Sequence, residues 1–265
     1  MLFAEHLVLI RGGGDIGTGV AWRLHRAGFP VGVLELPQPL TVRRTVALSS
    51  AVNDGETSVE GMLGRGVSSP VEIKPMTEAG AIPVAVSPQL PHLGQSVVVD
   101  ARLAKTGLDT SRDDAPFVVG LGPGFDAGSN CHAVVETARG HHLGRVIWSG
   151  PAAADTGTPG IVEGRGVERV LRAPADGAAE WHHEIGDVVT EGTVLGTVGG
   201  IEIAAPFDGV VRGLVAAGTD MASGSKVGDV DPRAEPSACH EISDKALAVG
   251  GGVVEAVLTW LDTRG

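Results

Sequence analysis

Four apolar residues, Leu7-Val8-Leu9-Ile10, run straight into Arg11-Gly12-Gly13-Gly14-Asp15-Ile16-Gly17-Thr18-Gly19 and then into a helical stretch from Val20 to Ala27. Gly12, Gly14 and Gly17 satisfy G-x-G-x-x-G, Gly28 is placed to end the helix, and Val31-Gly32-Val33-Leu34 ends at Glu35. The order strand, glycine loop, helix, strand, acid is the context the dinucleotide fingerprint requires. It predicts a Rossmann-like α/β domain with a mainly parallel sheet. In such a unit Gly12, Gly14 and Gly17, with Asp15 on the first helical turn, cradle a phosphate, and Glu35 accepts a ribose diol. The alternative is a tight turn in a Rossmann-like unit that binds nothing.

The α/β pattern continues downstream. Pro37 and Pro39 lead to Arg43-Arg44-Thr45, near the start of a helical run to Val52. Two adjacent arginines either clamp a phosphate bidentately or lie solvated on a surface helix. Val71-Glu72-Ile73, Ile82 to Val86 and Val97-Val98-Val99 read as strands, with Pro83 marking an edge or a strand start. Asp100, Arg102 and Lys105 then follow a strand's carboxyl end, where open α/β sheets place their ligands.

The densest chemistry lies between Phe117 and Arg145. A strand, Phe117-Val118-Val119, breaks into Gly120-Leu121-Gly122-Pro123-Gly124, where Gly122 and Gly124 allow main-chain N–H groups to approach an anion. Asp126, Cys131, His132, Glu136, Arg139, His141, His142 and Arg145 follow. Glu136, Arg139 and His141 are the candidate reactive set: Arg139 holds an anionic oxygen in a fixed fork, Glu136 orients it, and His141 serves as the base. The competing reading is a hairpin pinned by a Glu136–Arg139 salt bridge, with His141 in solvent.

From Arg172 the character changes to an internal repeat. Ala173-Pro174-Ala175-Asp176-Gly177 aligns with Ala205-Pro206-Phe207-Asp208-Gly209, and Gly186, Gly192 and Gly196 then meet Gly218, Gly224 and Gly228. Neither half can bury an apolar face alone, so the pair predicts a small all-β sandwich. The pattern resembles the biotinyl/lipoyl barrel-sandwich hybrid. The link Gly199-Gly200-Ile201-Glu202-Ile203 has no lysine, which argues against a swinging-arm carrier. Ser243 is a reasonable N-cap for a helix from Asp244 to Leu261, and Gly250-Gly251-Gly252 inside it points to close backbone packing or a break. The predicted organisation is 1–165 Rossmann-like, 166–235 barrel-sandwich hybrid, and 236–265 a C-terminal helical segment.

A net charge of −12 with no basic run argues against nucleic acid or an anionic membrane as partner. Cys131 and Cys239 are the only cysteines, too few for a disulfide framework. The dipeptides Cys131-His132 and Cys239-His240 would suit zinc if they met, although nothing in the sequence brings them together. The four-residue apolar start is neither a signal peptide nor a membrane span, so a cytoplasmic location is expected. The sequence leaves homo-oligomerisation open.

Taken together, the blocks IRGGGDIGTGVAWRLHRAGF (10–29), LELPQPLTVRRTVALSSAV (34–52), VVDARLAKTGLDT (98–110), VVGLGPGFDAG (118–128), VVETARGHHLGRVI (134–147), DTGTPG (155–160), RVLRAP (169–174), VGDVDPR (227–233) and ISDKALAVGGGVVEA (242–256) resemble the selenium-dependent molybdenum hydroxylase system family of YqeB type. The N-terminal part is similar to the Rossmann domain of xanthine dehydrogenase maturation chaperones. The resemblance implies an accessory protein that matures molybdenum-containing hydroxylases. It would bind a phosphate-bearing cofactor, molybdenum cofactor or a nucleotide, on Gly12, Gly14 and Gly17, with Arg43 and Arg44 adding charge. The hydroxylase apoprotein would be its partner. Residues 155–160 would close the site or link domains. The rival reading is an NAD- or nucleotide-dependent enzyme with His141 as base and Glu35 on a ribose.

Overall fold

The structure, a computed structural model, describes residues 1–104, 107–155, 157 and 160–264. The chain forms two compact units. Residues 1–39, 47–156 and 242–265 make the larger, and residues 40–46 and 157–241 the smaller.

In the larger unit, β1 (Val8–Arg11) is buried along its whole length and ends where the glycines begin. α1 (Asp15–Ala27) follows and is closed by Gly28 at φ 97°, a left-handed conformation that glycine adopts without strain. β2 (Val31–Glu35) lies parallel to β1. After the short α2 (Ala51–Asp54), β3 (Glu56–Val59) and β4 (Met62–Val67) form a hairpin that turns through Glu60 and Gly61, both at positive φ. α3 (Ile73–Glu78) leads to β5 (Ile82–Val86), which pairs in parallel with both β2 and β4. Pro83 stands second in β5, before the pairing with β2 begins at Val84, so its missing N–H falls at the strand's start.

The chain then crosses β1. β6 (Val97–Asp100) pairs with β1 on its other side, and β7 (Phe117–Leu121) pairs with β6, both in parallel. β8 (Asp126–Ala127) leaves the sheet, β9 (Ala133–Val135) returns beside β7, β10 (Val146–Ile147) turns back antiparallel, and β11 (Gly150–Pro151) pairs with β8. The large sheet has nine strands in the order β10-β9-β7-β6-β1-β2-β5-β4-β3. The direction of travel therefore reverses between β1 and β6.

α4 (Asp244–Asp262) completes this unit, with the Ser243 hydroxyl accepting the Ala246 N–H at 3.1 Å. Its triple glycine is close packing and not a break. A Cβ on Gly250 would stand 2.6 Å from the Gly19 carbonyl oxygen of α1, and one on Gly252 would stand 2.2 Å from that of Gly144. Gly19 in turn admits Ala246, whose carbonyl oxygen would be 2.6 Å from a Cβ there. Among the described residues, no helix is long and apolar enough to cross a membrane.

The smaller unit holds β12 (Val170–Arg172), β13 (Gly177–Trp181), β14 (Val188–Val189), β15 (Val194–Val198), β16 (Ile201–Ala204), β17 (Gly209–Leu214), β18 (Asp220–Met221) and β19 (Lys226–Asp231). They form two four-stranded antiparallel sheets, β12-β19-β17-β14 and β16-β15-β13-β18, around Leu171, Leu195, Phe207, Val211, Leu214 and Val227. Thirty-two residues separate Gly177, at the start of β13, from Gly209, at the start of β17. The same offset pairs β12 with β16, β14 with β18 and β15 with β19. β14 pairs with β17 of the later half, and β18 with β13 of the earlier one.

These observations correct the predicted fold class. The larger unit is a mixed sheet, not a Rossmann domain. β3–β4 at one edge and β9–β10 at the other are antiparallel, and several parallel crossovers run through loops and 3-10 turns in place of helices. The smaller unit is a pair of small antiparallel sheets and not a biotinyl/lipoyl-type domain. Val71-Glu72-Ile73 is also no strand. Ser69 and Glu72 form a capping box with Pro70 in the first turn, and that local chemistry starts a 3-10 turn leading into α3.

Candidate functional site at the carboxyl edge of the large sheet

The glycine-rich loop is largely satisfied from within. Gly12 N–H donates to the Leu34 carbonyl at 2.8 Å, and Gly13 N–H donates to Glu35 Oε2 at 2.8 Å. The other oxygen of Glu35 accepts the Leu36 N–H at 2.8 Å. The acid placed by sequence on a ribose is folded back onto the loop, where it supplies the anion itself. Gly12, at φ 97°, lies against the chain after β6, since a Cβ there would come within 3.1 Å of Arg102 Cα and N. A Cβ on Gly17 would stand 2.0 Å from the Gly12 carbonyl oxygen. Both glycines serve close packing of backbone on backbone.

The crevice between β1 and β6, where the order reverses, is occupied by ion pairs of the protein. Asp100 is fully buried at the end of β6; Arg102 Nη2 reaches it at 2.5 Å, and the Thr110 hydroxyl donates to it at 2.6 Å. Buried Arg11 donates to Thr110 Oγ1 at 2.6 Å and to Asp109 Oδ2 at 2.9 Å, and Arg102 also holds Asp109 at 2.7 Å. The Arg11 hydrogen bond, with Arg102 beside it, holds the Asp109 carboxyl well below the usual carboxylate range. Lys105, predicted to join this group, lies outside the described residues.

Two elements bring charge together further along the same edge. Contacts pair Gly19 of α1 with Ala246 of α4, and Arg23 with Leu247 and Gly250, so the two helices run in the same sense with neighbouring N-termini. Asp15 opens α1, and Asp244 and Lys245 open α4. Beyond the end of β9, Glu136 is buried and accepts the N–H groups of Ala138 and Ala153 at 2.7 and 2.8 Å. Arg139 forms a two-pronged pair with Asp244 at 2.8 and 3.1 Å. Gly122, at φ 71°, is pressed on Thr137, so the 122–124 loop adjoins this segment.

Lys245 stands among these groups, half-buried. Among the described residues its ammonium has no hydrogen-bond or salt-bridge partner. Burial pushes its pKa down, and so does the charge of Arg139, while Asp15, Glu136 and Asp244 pull the other way without reversing the shift. Two helix N-termini add positive potential at the same place. Lys245 is not among the residues singled out from sequence. The signal available was its sign: cations are disfavoured in the first turn.

Of the residues singled out from sequence, Asp15, Glu136 and Arg139 come together, with Gly122 adjacent. His141 does not join them: it is exposed and its ring sits edge-on to His142, 5.2 Å between centroids. Gly124 packs on Leu108. Arg43 and Arg44 belong to the smaller unit, where Arg43 donates to the Ala238 and Glu241 carbonyls and Arg44 to that of Leu214. Thr156, Thr158 and Pro159 of the 155–160 loop lie outside the described residues. Cys131 and Cys239 are both buried and lie in different units, and burial pushes the Cys131 thiol up to about 11. Among the described residues no three His, Cys, Asp or Glu stand together to hold a metal ion. An open cleft of about 480 Å³ lies at the opposite edge, before β6 and β7, lined in part by His92, Gln95, Arg112, Asp113 and His132.

A glycine-rich strand–loop–helix unit on a mixed sheet, with a charged cluster beyond its strands' carboxyl ends, describes an α/β protein with a candidate small-molecule site. No family model matches the chain. It is 50% identical over 257 residues to a protein of Escherichia coli (strain K12) named "Uncharacterized protein YqeB", a match covering 96% of this chain and 48% of that one. The chain thus spans about half the length of this curated relative. Among solved structures it is similar to a succinylglutamate desuccinylase/aspartoacylase from Rhodobacter sphaeroides, at 18% identity and a TM-score of 0.27, over 85% of this chain and 84% of that one. An aspartoacylase family protein from Mesorhizobium loti matches over the same shares at 11% identity and a TM-score of 0.27. A likeness this slight transfers neither fold nor activity.

These comparisons correct the reading by resemblance. The relative's name states no activity, so the resemblance brings none to this chain. The expected role in maturing molybdenum-containing hydroxylases is set aside, and so is its NAD- or nucleotide-dependent alternative. The occupied N–H of Gly13 gives a physical reason for doubting the phosphate cradle as well.

Proposed function

We propose that the larger unit binds a small metabolite carrying no more than one negative charge, at the cluster of Asp15, Glu136, Arg139, Asp244 and Lys245. The observation that carries this reading is Lys245, half-buried where two helix N-termini adjoin, with no hydrogen-bond or salt-bridge partner among the described residues. Partial burial disfavours the charged ammonium, and a ligand carboxylate or polar oxygen would favour it. Charge balance sets the class. Two side-chain cations and two helix ends, each worth roughly half a positive charge, offset the three carboxylates. A monocarboxylate adds one negative charge to that balance, whereas a phosphate dianion adds two.

The test is a thermal-shift and calorimetric panel on the full chain with lactate, pyruvate, inorganic phosphate, AMP and NAD. A monocarboxylate should stabilise the wild type and fail to stabilise Lys245→Met. Stabilisation by phosphate or nucleotide alone, or equal stabilisation of the variant by the monocarboxylates, overturns the proposal.

A further inference from the structure

In the crevice between β1 and β6, Asp109 bridges two guanidinium groups with one oxygen to each. Its Oδ2 accepts from Arg11 at 2.9 Å and its Oδ1 from Arg102 at 2.7 Å. Both arginines are held in place by other partners. Arg11, whose side chain is 4% exposed, also donates to Thr110 Oγ1 at 2.6 Å and to the Pro88 carbonyl at 3.3 Å. Arg102 forks onto the fully buried Asp100, at 2.5 Å through Nη2 and 3.1 Å through Nε. The Asp109 side chain, by contrast, is 58% exposed. It reaches two fixed donors from the solvent side, so the place its carboxylate fills is open to a carboxylate from solution. The strand order reverses here, and open α/β sheets take their ligands outside the carboxyl ends of the strands at such a reversal. Leu103, next to Arg102, is held at φ 54°, a conformation that costs a leucine energy and that concentrates at ligand clamps.

We propose that Arg11 and Arg102 form a second binding site, for a small monocarboxylate, and that Asp109 is its built-in occupant, which a ligand carboxylate displaces. The site shares no residue with the cluster at Lys245 and does not rest on it. The ligand takes over the two charge-assisted bonds, one per oxygen, and the exposed Asp109 carboxylate returns to water. Among the described residues of this group, Arg11, Arg102 and Asp100 leave one positive charge once Asp109 has moved away. A monocarboxylate cancels that charge, and a phosphate dianion overshoots it by one. The bonds exchange like for like, but Asp109 is tethered and has the higher effective concentration. The ligand's apparent affinity is therefore its intrinsic affinity reduced by the fraction of molecules in which Asp109 is away. Removing the Asp109 carboxylate lifts that reduction.

Acetate, with inorganic phosphate and chloride as controls, tests this on the full chain. In wild type labelled with nitrogen-15 arginine, acetate should move the side-chain N–H signals of Arg11 and Arg102, and chloride at equal ionic strength should not. Calorimetry should show acetate binding Asp109→Ala at least tenfold tighter than wild type, with a smaller gain for phosphate. Signals that stay still with acetate, or move equally with chloride, overturn the proposal on the wild type alone, so the test does not depend on a variant folding. Equal acetate affinity in wild type and a cooperatively melting Asp109→Ala overturns it too, and a larger gain for phosphate overturns the monocarboxylate class. None of these outcomes touches the cluster at Lys245, whose own test is the response of Lys245→Met.

Discussion

Glu35 Oε2 accepts the main-chain N–H of Gly13 at 2.8 Å, so the anion at the glycine-rich loop belongs to the protein. Removing it leaves a partly buried donor without a partner. Glu35→Ala should destabilise the larger unit by about 1–3 kcal/mol. Glu35→Gln, which keeps an acceptor and loses the charge, should cost less. Urea unfolding of the three proteins checks both statements.

The three glycines of α4 should respond oppositely to the same change. Gly250→Ala drives a methyl to 2.6 Å from the Gly19 carbonyl oxygen and should destabilise by about 1–3 kcal/mol. Nothing lies within 4 Å of a Cβ on Gly251, so Gly251→Ala should stabilise by about 0.5–1 kcal/mol, the ordinary gain in helix propensity. Paired thermal melts would separate them.

His132 binds β7 through its ring: Nδ1 accepts the Val118 N–H at 3.0 Å, one rung before the β7–β9 ladder begins at Val119 and Ala133. That role needs the neutral imidazole. Burial first, and then Arg112, lower its pKa below the ordinary histidine value of about 6.5. The unfolded chain therefore binds more protons than the folded one just below that pH. This contribution to stability is present above about 6.5 and is lost as pH falls through the folded value. The difference in melting temperature between wild type and His132→Gln should shrink from pH 7.5 to pH 5.

Asp231 anchors the cations of the smaller unit. Its side chain is 3% exposed and meets Arg233 at 2.6 Å, Arg169 at 3.4 Å and Arg212 at 3.7 Å. Burial would raise its pKa, but the Arg233 hydrogen bonds and the charges of Arg233 and Arg169 outweigh that and hold it at about 2. The resulting stabilisation is present above the ordinary aspartate range, near 3.8, and is lost as pH falls toward 2. Asp231→Asn should cost about 3–5 kcal/mol, because Arg169 would keep its burial and lose much of its compensation. Circular dichroism melts at pH 7 and pH 3 would show the gap between wild type and variant closing in acid.

Local order was readable where one short stretch decides it. The strand, glycine loop, helix and second strand from Leu7 to Glu35 lie where periodicity and glycine spacing put them. The meaning of the glycines was not readable in the same way. Close approach to a phosphate and close approach to a neighbouring backbone make the same demand on residue type, and at Gly12 and Gly17 the second applies. Strand direction at the sheet edges was hidden too, since β9 and β10 are only three and two residues long. Arg139 was visible as a cation in a rich loop, but its partner Asp244 lies 105 residues away, beyond the reach of any local pattern. Lys245 left one local sign, a cation in a helix's first turn, while its surroundings are assembled from three distant parts of the chain.

The crossing-over of β14 and β18 between the two sheets of the smaller unit bears on how that unit can come apart. Each 32-residue half lends two strands to the sheet of the other, β12 and β14 from the earlier half and β16 and β18 from the later, so neither half has a complete sheet of its own. Loosening cannot proceed one half at a time, as it can in an array of stacked repeats whose end unit frays while the rest holds. Amide protons from β13 to β19 should therefore exchange through a single opening event, with one shared free energy across both halves. A nick at the Gly199–Gly200 turn should not release a folded half, because the two pieces remain threaded through each other's hydrogen bonds.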